Sequence, residues 1–202
     1  MQIRRLGRVD YLPTWQAMQD FTAMRVAKTA AETADELWLL EHPPVFTLGQ
    51  AGRREHILVE SNIAVVPIDR GGQVTYHGPG QVVVYVLLDL KRRGYGVKAL
   101  VHRLEQAVVD VLASQSIVAV RHEGAPGVYV EGAKVAALGL RVRNGCTYHG
   151  LSLNVDMDMQ PFSYINPCGY AGLAVTQTKA LGSALSPAAA GELLLDRLQQ
   201  LL

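Results

Sequence analysis

"GLSLNVDMDM", residues 150–159, alternates almost without fault: Leu151, Leu153, Val155, Met157 and Met159 fall on one face, and Ser152, Asn154, Asp156 and Asp158 on the other. A period of two is the mark of a β-strand, and the split into apolar and polar faces predicts a half-buried one. Around it lie further runs of strand length, "QVVVYVLLDL" (81–90), "IAVVPID" (63–69) and "ELWLLEHPPVFTLG" (36–49), the last interrupted at Pro43-Pro44. Helical patterns frame them. "TWQAMQDFTAMRVAKTAAETADE" (14–36) is rich in helix formers with Thr14 as the expected N-cap, and "KALVHRLEQAVVDVLASQ" (98–115) is a second helix. In "SPAAAGELLLDRLQQLL" (186–202), Ser186 takes the N-cap and Pro187 the first helical position of a third. Helices at both ends and in the middle, with many strands between, predict an α/β (α+β) domain around a mixed central β-sheet flanked by helices.

The 202 residues suit one domain, expected to span 1–202, and 49% hydrophobic with 18% charged residues describes a globular chain. A formal charge of +1 gives no reason to invoke nucleic acid, and the short run Lys91-Arg92-Arg93 reads as a solvated loop. "MQIRRLGRVDYLPTW" (1–15) lacks the apolar core of a secretory signal and no stretch approaches a membrane span, so a cytoplasmic protein without a membrane partner is expected. Cys146 and Cys168 then read as thiols. They show no metal-ligand spacing, and no metal is expected.

Three stretches could carry chemistry. "INPCGY" (165–170) sets Cys168 between a proline and a glycine, a turn composition that would present the sulfur rather than bury it, with Asn166 as a brace. "VYVEGAKVAALGLRV" (128–142) reads as a hairpin turning at Glu131-Gly132, which places Lys134 opposite Tyr129 and at the start of an apolar run. A lysine pointing inward there would have its pKa lowered by desolvation and could trade a proton. "DRGGQVTYHGPGQVVVYV" (69–86) is a glycine-rich loop that fits no nucleotide-binding template, with His77 either a polar core residue or a ligand contact. The triplet Tyr-His-Gly recurs around His149. A thiol of ordinary pKa, about 8.5, is a weak nucleophile at neutral pH, and lowering it by about two units takes roughly 2.7 kcal/mol of differential electrostatics. Lys134, 34 positions upstream (168 − 134), can supply this as an ammonium; His77 or His149 could do the same work.

"EHPPVFTLG", "RGGQVTYHGPGQ", "GAPGVYVEGAKVAALGLRV", "TYHGLSLNVDMD" and "PFSYINPCGY" follow one another between about Glu41 and Thr176. In that order they resemble the motifs of the lipoyl(octanoyl) transferase family of lipoate biosynthesis. The resemblance implies a fold similar to the catalytic domain of biotin and lipoate protein ligases. It implies transfer of octanoyl from octanoyl-acyl carrier protein to a lysine of lipoyl domains, those of 2-oxoacid dehydrogenase complexes and of the glycine cleavage H protein. Cys168 would carry the acyl-thioester and Lys134 would tune it. The substrate-binding segments would be Arg70, Gly71, Gly72, Gln73, Val74, Thr75, Tyr76 and His77, then Ala137, Leu138 and Gly139, then Gly150, Leu151 and Ser152, with His149 and Asn166 in support. Neither ATP nor a metal is expected, and a monomer is. Backbone N–H groups around Gly71-Gly72 and Leu138-Gly139 would hold the developing oxyanion. An ATP-dependent lipoate or biotin protein ligase, sharing the fold, is the nearest alternative.

Overall fold

A computed structural model describes residues 1–27 and 33–202. Its main sheet has seven strands in the order β1-β2-β6-β10-β9-β8-β7: β1 (Gln2–Arg8), β2 (Glu36–Glu41), β6 (Gln81–Leu87), β10 (Cys146–Asn154), β9 (Ala133–Arg143), β8 (Ala125–Val130) and β7 (Val120–His122). Only β1 and β2 run parallel, so the sheet is mixed, as the sequence predicts. A second sheet, β4-β3-β5, is built from β3 (Val45–Leu48), β4 (Ala64–Pro67) and β5 (Val74–His77).

β6 shows why the fold has layers. All seven of its residues are buried, which only a strand covered on both faces can sustain. Val82, Val84 and Val86 enter the larger core, closed by α3 (Val97–Ala113) and α4 (Pro187–Leu201); Val83, Tyr85 and Leu87 enter a second core beneath α1 (Tyr11–Ala27). β10, paired on both sides, is likewise buried throughout. The expected half-buried strand is thus corrected twice. Leu151 and Leu153 do enter the large core, but Ser152 and Asn154 face a second protein layer rather than solvent. The strand also ends at Asn154, because Val155 and Asp156 turn their N–H groups to Gly80 O.

Three further expectations change. α1 begins three residues before Thr14, whose hydroxyl donates back to Asp10 O at 2.7 Å, so Thr14 sits in the first turn and is not the cap. Pro13 is tolerated there because first-turn N–H groups have no helical partner. The part of that expected helix at 28–32 lies outside the described residues. Lys91-Arg92-Arg93 belongs to a short helix, α2 (Leu90–Arg93), and Arg92 and Arg93 join Arg25 in pairing with buried Asp35 at 2.5–2.7 Å, so this run is not a solvated loop. The turn at Ser186 is as expected: its side chain accepts from Ala189 N at 3.2 Å.

Candidate active site

The β8–β9 hairpin turns where expected and pairs Tyr129 with Lys134. β10 accompanies β9 only as far as Ala136, opposite Leu153. Beyond that point its place is taken by a loop: Lys134 N donates to Ala174 O at 2.8 Å and Thr176 N donates to Lys134 O at 2.9 Å, with Val175 alongside. This stitch ties Lys134 to the segment bearing Cys168. Asn154 secures it from the end of β10, donating through Nδ2 to Thr176 O at 2.9 Å, and its Oδ1 accepts from Gln81 at 2.9 Å.

Cys168 lies in a tight turn, Pro167–Gly169, with φ 57° and ψ 13°. The left-handed backbone is unusual for a residue other than glycine and holds the sulfur in one direction. Gly169 N donates to Asn166 O at 2.9 Å and Asn166 N donates to His56 O at 2.8 Å, so Asn166 braces the turn with its backbone. Lys134 Nζ stands 3.1 Å from Sγ and 3.1 Å from Pro126 O, and 5.1 Å from the centroid of the Tyr129 ring. The lysine is 4% exposed. Burial alone would pull its pKa down, but the neighbouring sulfur and Tyr129 outweigh burial and hold it above the ordinary lysine value. This corrects the expectation that desolvation would win: Lys134 is an ammonium at neutral pH. The two histidine rivals are otherwise engaged. His77 Nδ1 pairs with Gln81 Oε1 at 2.7 Å, and burial, with His42 and Arg70 nearby, pushes its pKa down to about 3. His149 Nε2 donates to Asp69 at 3.0 Å, and burial lowers its pKa despite that carboxylate.

The pair opens on a cavity of about 440 Å³. Arg70, Gly71, Gly72, Gln73, Val74, Thr75, His77, Ala137, Leu138, Gly139, Gly150, Leu151, Ser152 and His149 all line it. Tyr76 does not: alternation along β5 turns its ring into a core with Phe46 and Phe162. Small residues keep the space open, since a Cβ on Gly139 would lie 2.8 Å from Arg70 Cδ. The buried Arg70 guanidinium rests on neutral oxygens, donating to Thr47 O, Thr47 Oγ1, Gln73 O and Gly71 O at 2.8–2.9 Å, and burial lowers its pKa. Gly71 N is committed to Leu140 O at 3.0 Å, which withdraws one expected oxyanion donor. Val83, Tyr85 and Tyr11 form the deep, buried wall, while Val97, Pro126 and Tyr170 stand at the exposed mouth.

Sequence reasoning passes over several of these parts. Tyr85, Val83 and Tyr11 look like ordinary core residues, and Gln81, Asn154 and Thr176 gain their roles only from the stitch across Lys134. Among the described residues no group of three or more His, Cys, Asp or Glu side chains could hold a metal ion, and no helix is long and apolar enough to cross a membrane.

A mixed sheet packed by helices carries a cysteine and an ammonium at the rim of a mostly apolar cavity, an arrangement suited to an enzyme that works through a thiol on an apolar substrate. Residues 10–199 match the model of the lipoyl protein ligase A/B catalytic domain, and the chain belongs to that family. Within it, the chain is 65% identical to an octanoyltransferase of Thiobacillus denitrificans over 98% of this chain and 89% of that protein, and 64% identical to one of Dechloromonas aromatica over 98% and 95%. Its fold is that of a lipoate-protein ligase A solved with ATP (TM-score 0.75, 15% identity, 99% of this chain and 85% of that one). A biotin protein ligase of Aquifex aeolicus, solved with biotin and ATP, is a more distant likeness (TM-score 0.61, 13% identity, 98% and 69%).

Proposed function

We propose that the protein moves an octanoyl group from octanoyl-acyl carrier protein to a lysine of a lipoyl domain, in two steps through a thioester on Cys168. The activity itself, octanoyl transfer in protein lipoylation, follows from its family and from octanoyltransferases 61–65% identical over nearly the whole chain. The observation that carries the mechanism is the 3.1 Å approach of Lys134 Nζ to Cys168 Sγ.

In the first step the Cys168 thiolate attacks the donor thioester carbonyl. The tetrahedral intermediate collapses, the bond to the carrier's phosphopantetheine sulfur breaks, and that sulfur takes the proton of the Lys134 ammonium. In the second step the neutral amine of the acceptor lysine attacks the new thioester. Lys134, now a free amine, takes the proton the acceptor nitrogen must lose, and Cys168 leaves as thiolate. Proton and sulfur both return to their starting state, so one group serves as acid and then as base. A thioester already carries the activation that amide formation needs, so no ATP enters the cycle. The cavity takes the alkyl tail, and burying about six methylenes at roughly 0.8 kcal/mol each gives on the order of 5 kcal/mol of binding.

Likeness of fold to ATP-dependent ligases favours the alternative of an acyl-adenylate. Incubation with octanoyl-acyl carrier protein and a lipoyl domain, without ATP, separates the two. The account expects an octanoylated lipoyl domain; product that forms only when ATP is added would select the ligase, and release of free octanoate alone would select a hydrolase.

A further inference from the structure

The Lys134 ammonium touches a carbonyl as well as a sulfur, and that carbonyl is itself held. Pro126 O lies 3.1 Å from Nζ. At the other end of the same peptide unit, Gly127 N donates to Glu105 Oε1 at 2.9 Å. Glu105 comes from α3, is 7% exposed, and shares its helix face with the buried side chains of Val108 and Leu112. Burying a carboxylate on such a face is costly unless it is held by donors. Besides that N–H, its Oε2 lies 3.5 Å from Arg121 Nε. Neither step of the acyl transfer uses this carboxylate.

The peptide between them needs holding. Gly127 has φ +145°, a conformation that side chains rarely adopt, and a Cβ there would meet Lys134 Cε at 2.9 Å and Nζ at 3.2 Å. The backbone therefore packs directly on the lysine stem at a residue with little torsional restraint of its own. A carboxylate on the N–H fixes the plane of the peptide and aligns its dipole so that the carbonyl end faces the ammonium. The negative charge behind the dipole acts in the same sense, since it favours the protonated amine.

We propose that Glu105 is a positioning residue that keeps Lys134 protonated and aimed at Cys168, acting through the Pro126–Gly127 peptide. The inference rests on the reading of Lys134 and Cys168 as the reacting pair. Titratable and charged groups near the ammonium include Cys168 itself, Tyr129 on β8 with His122 against its ring, Arg121 behind Glu105, and Arg70 across the cavity, with the neutral Thr75, Ser152 and Asn154 lining the same space.

The test needs no acyl substrate. The rate of Cys168 alkylation by iodoacetamide is measured in the full chain between about pH 5 and pH 12, where the upper inflection reports loss of the proton from the neighbouring ammonium. Glu105→Gln keeps an acceptor for Gly127 N–H but removes the charge, and is expected to lower that inflection by about half a unit to one unit. Arg121→Gln removes the cation that offsets Glu105 and is expected to raise it. In the transfer assay Glu105→Gln leaves Lys134 protonated near neutral pH but loosens its aim at Cys168, lowering kcat about threefold with KM unchanged. Inflections within about 0.2 unit of the unaltered protein in both variants would overturn the proposal. Should Glu105→Gln fail to fold, Arg121→Gln decides alone: an upward shift supports the role, and no shift or a downward one refutes it. Absence of octanoyl transfer in the unaltered protein would refute the proposed function and leave the alkylation profile to judge Glu105.

Discussion

The chain holds the same side chain in two settings. Cys146 opens β10, 5% exposed, at the end of a regular strand pair with β9. Burial pushes its thiol pKa up, outweighing the pull of the Arg25 and Arg92 guanidiniums. Cys168 stands on a left-handed turn, half-buried, with an ammonium 3.1 Å away. Regular pairing satisfies a backbone and hides its side chains; an irregular turn gives up that pairing and presents one atom to a cavity. On the proposed mechanism, the backbone and the neighbour set these two thiols apart, since the side chain is the same.

The largest effect expected from this contrast is on turnover. Cys168→Ser lowers octanoyl transfer by about a thousandfold or more, because an alcohol beside an ammonium is far less ionised than a thiol. Cys146→Ala leaves the rate within about twofold and costs roughly 1 kcal/mol in denaturant unfolding. Steady-state assays of both variants would break the comparison if their ranks were reversed. Next comes the neighbour: Lys134→Met, which keeps the stem and removes the charge, lowers kcat by about a hundredfold to ten-thousandfold. Gly127→Ala sharpens the point at smaller cost. Its methyl would displace the lysine stem, so about a tenfold loss of rate is expected with Cys168 intact, read from kcat at saturating donor.

Acid sensitivity separates the two regions most gently. Near the Cys168 cavity, burial pushes His42 down to about 4 and His77 down to about 3, from an ordinary 6.5. Each is neutral in the fold and takes a proton on unfolding, so stability is full above about pH 6.5 and falls as pH drops through the window toward 4. The two together contribute a slope approaching about 2.7 kcal/mol per pH unit near pH 5, and His149, also held down by burial, adds in the same direction. Urea titrations across that window would check it, and His42→Gln should lower the slope by about 1.4 kcal/mol per pH unit.

Much of this fold is legible in the chain. The apolar run at 81–90 becomes a strand over Gln81–Leu87 and the Ser-Pro start at 186 opens the expected helix, while the alternation at 150–159 yields a strand only as far as Asn154, and a buried one. What escapes does so for physical reasons. β1 carries three arginines in seven residues and no apolar alternation, because it is an edge strand paired only with β2. The polar face of β10 looks solvated because pattern alone cannot tell water from protein partners such as Gln81 on the neighbouring β6 and the loop at 174–176. The dyad is legible through its turn, its hairpin and the family resemblance. Its supports are not, since Pro126 O and the Gly127 N–H are backbone groups, and Glu105 reads as one more charge on an amphipathic helix.

On the proposed mechanism, acyl transfer passes through one of two sulfurs. Octanoyl-acyl carrier protein is mixed with the protein in the absence of lipoyl domain, quenched in acid, and digested for peptide mass mapping. One octanoyl group is expected on the Cys168 peptide, labile to hydroxylamine as a thioester is, and none on the Cys146 peptide. An octanoyl group on Cys146, a hydroxylamine-stable amide on Lys134, or no adduct from a protein that transfers normally would contradict it.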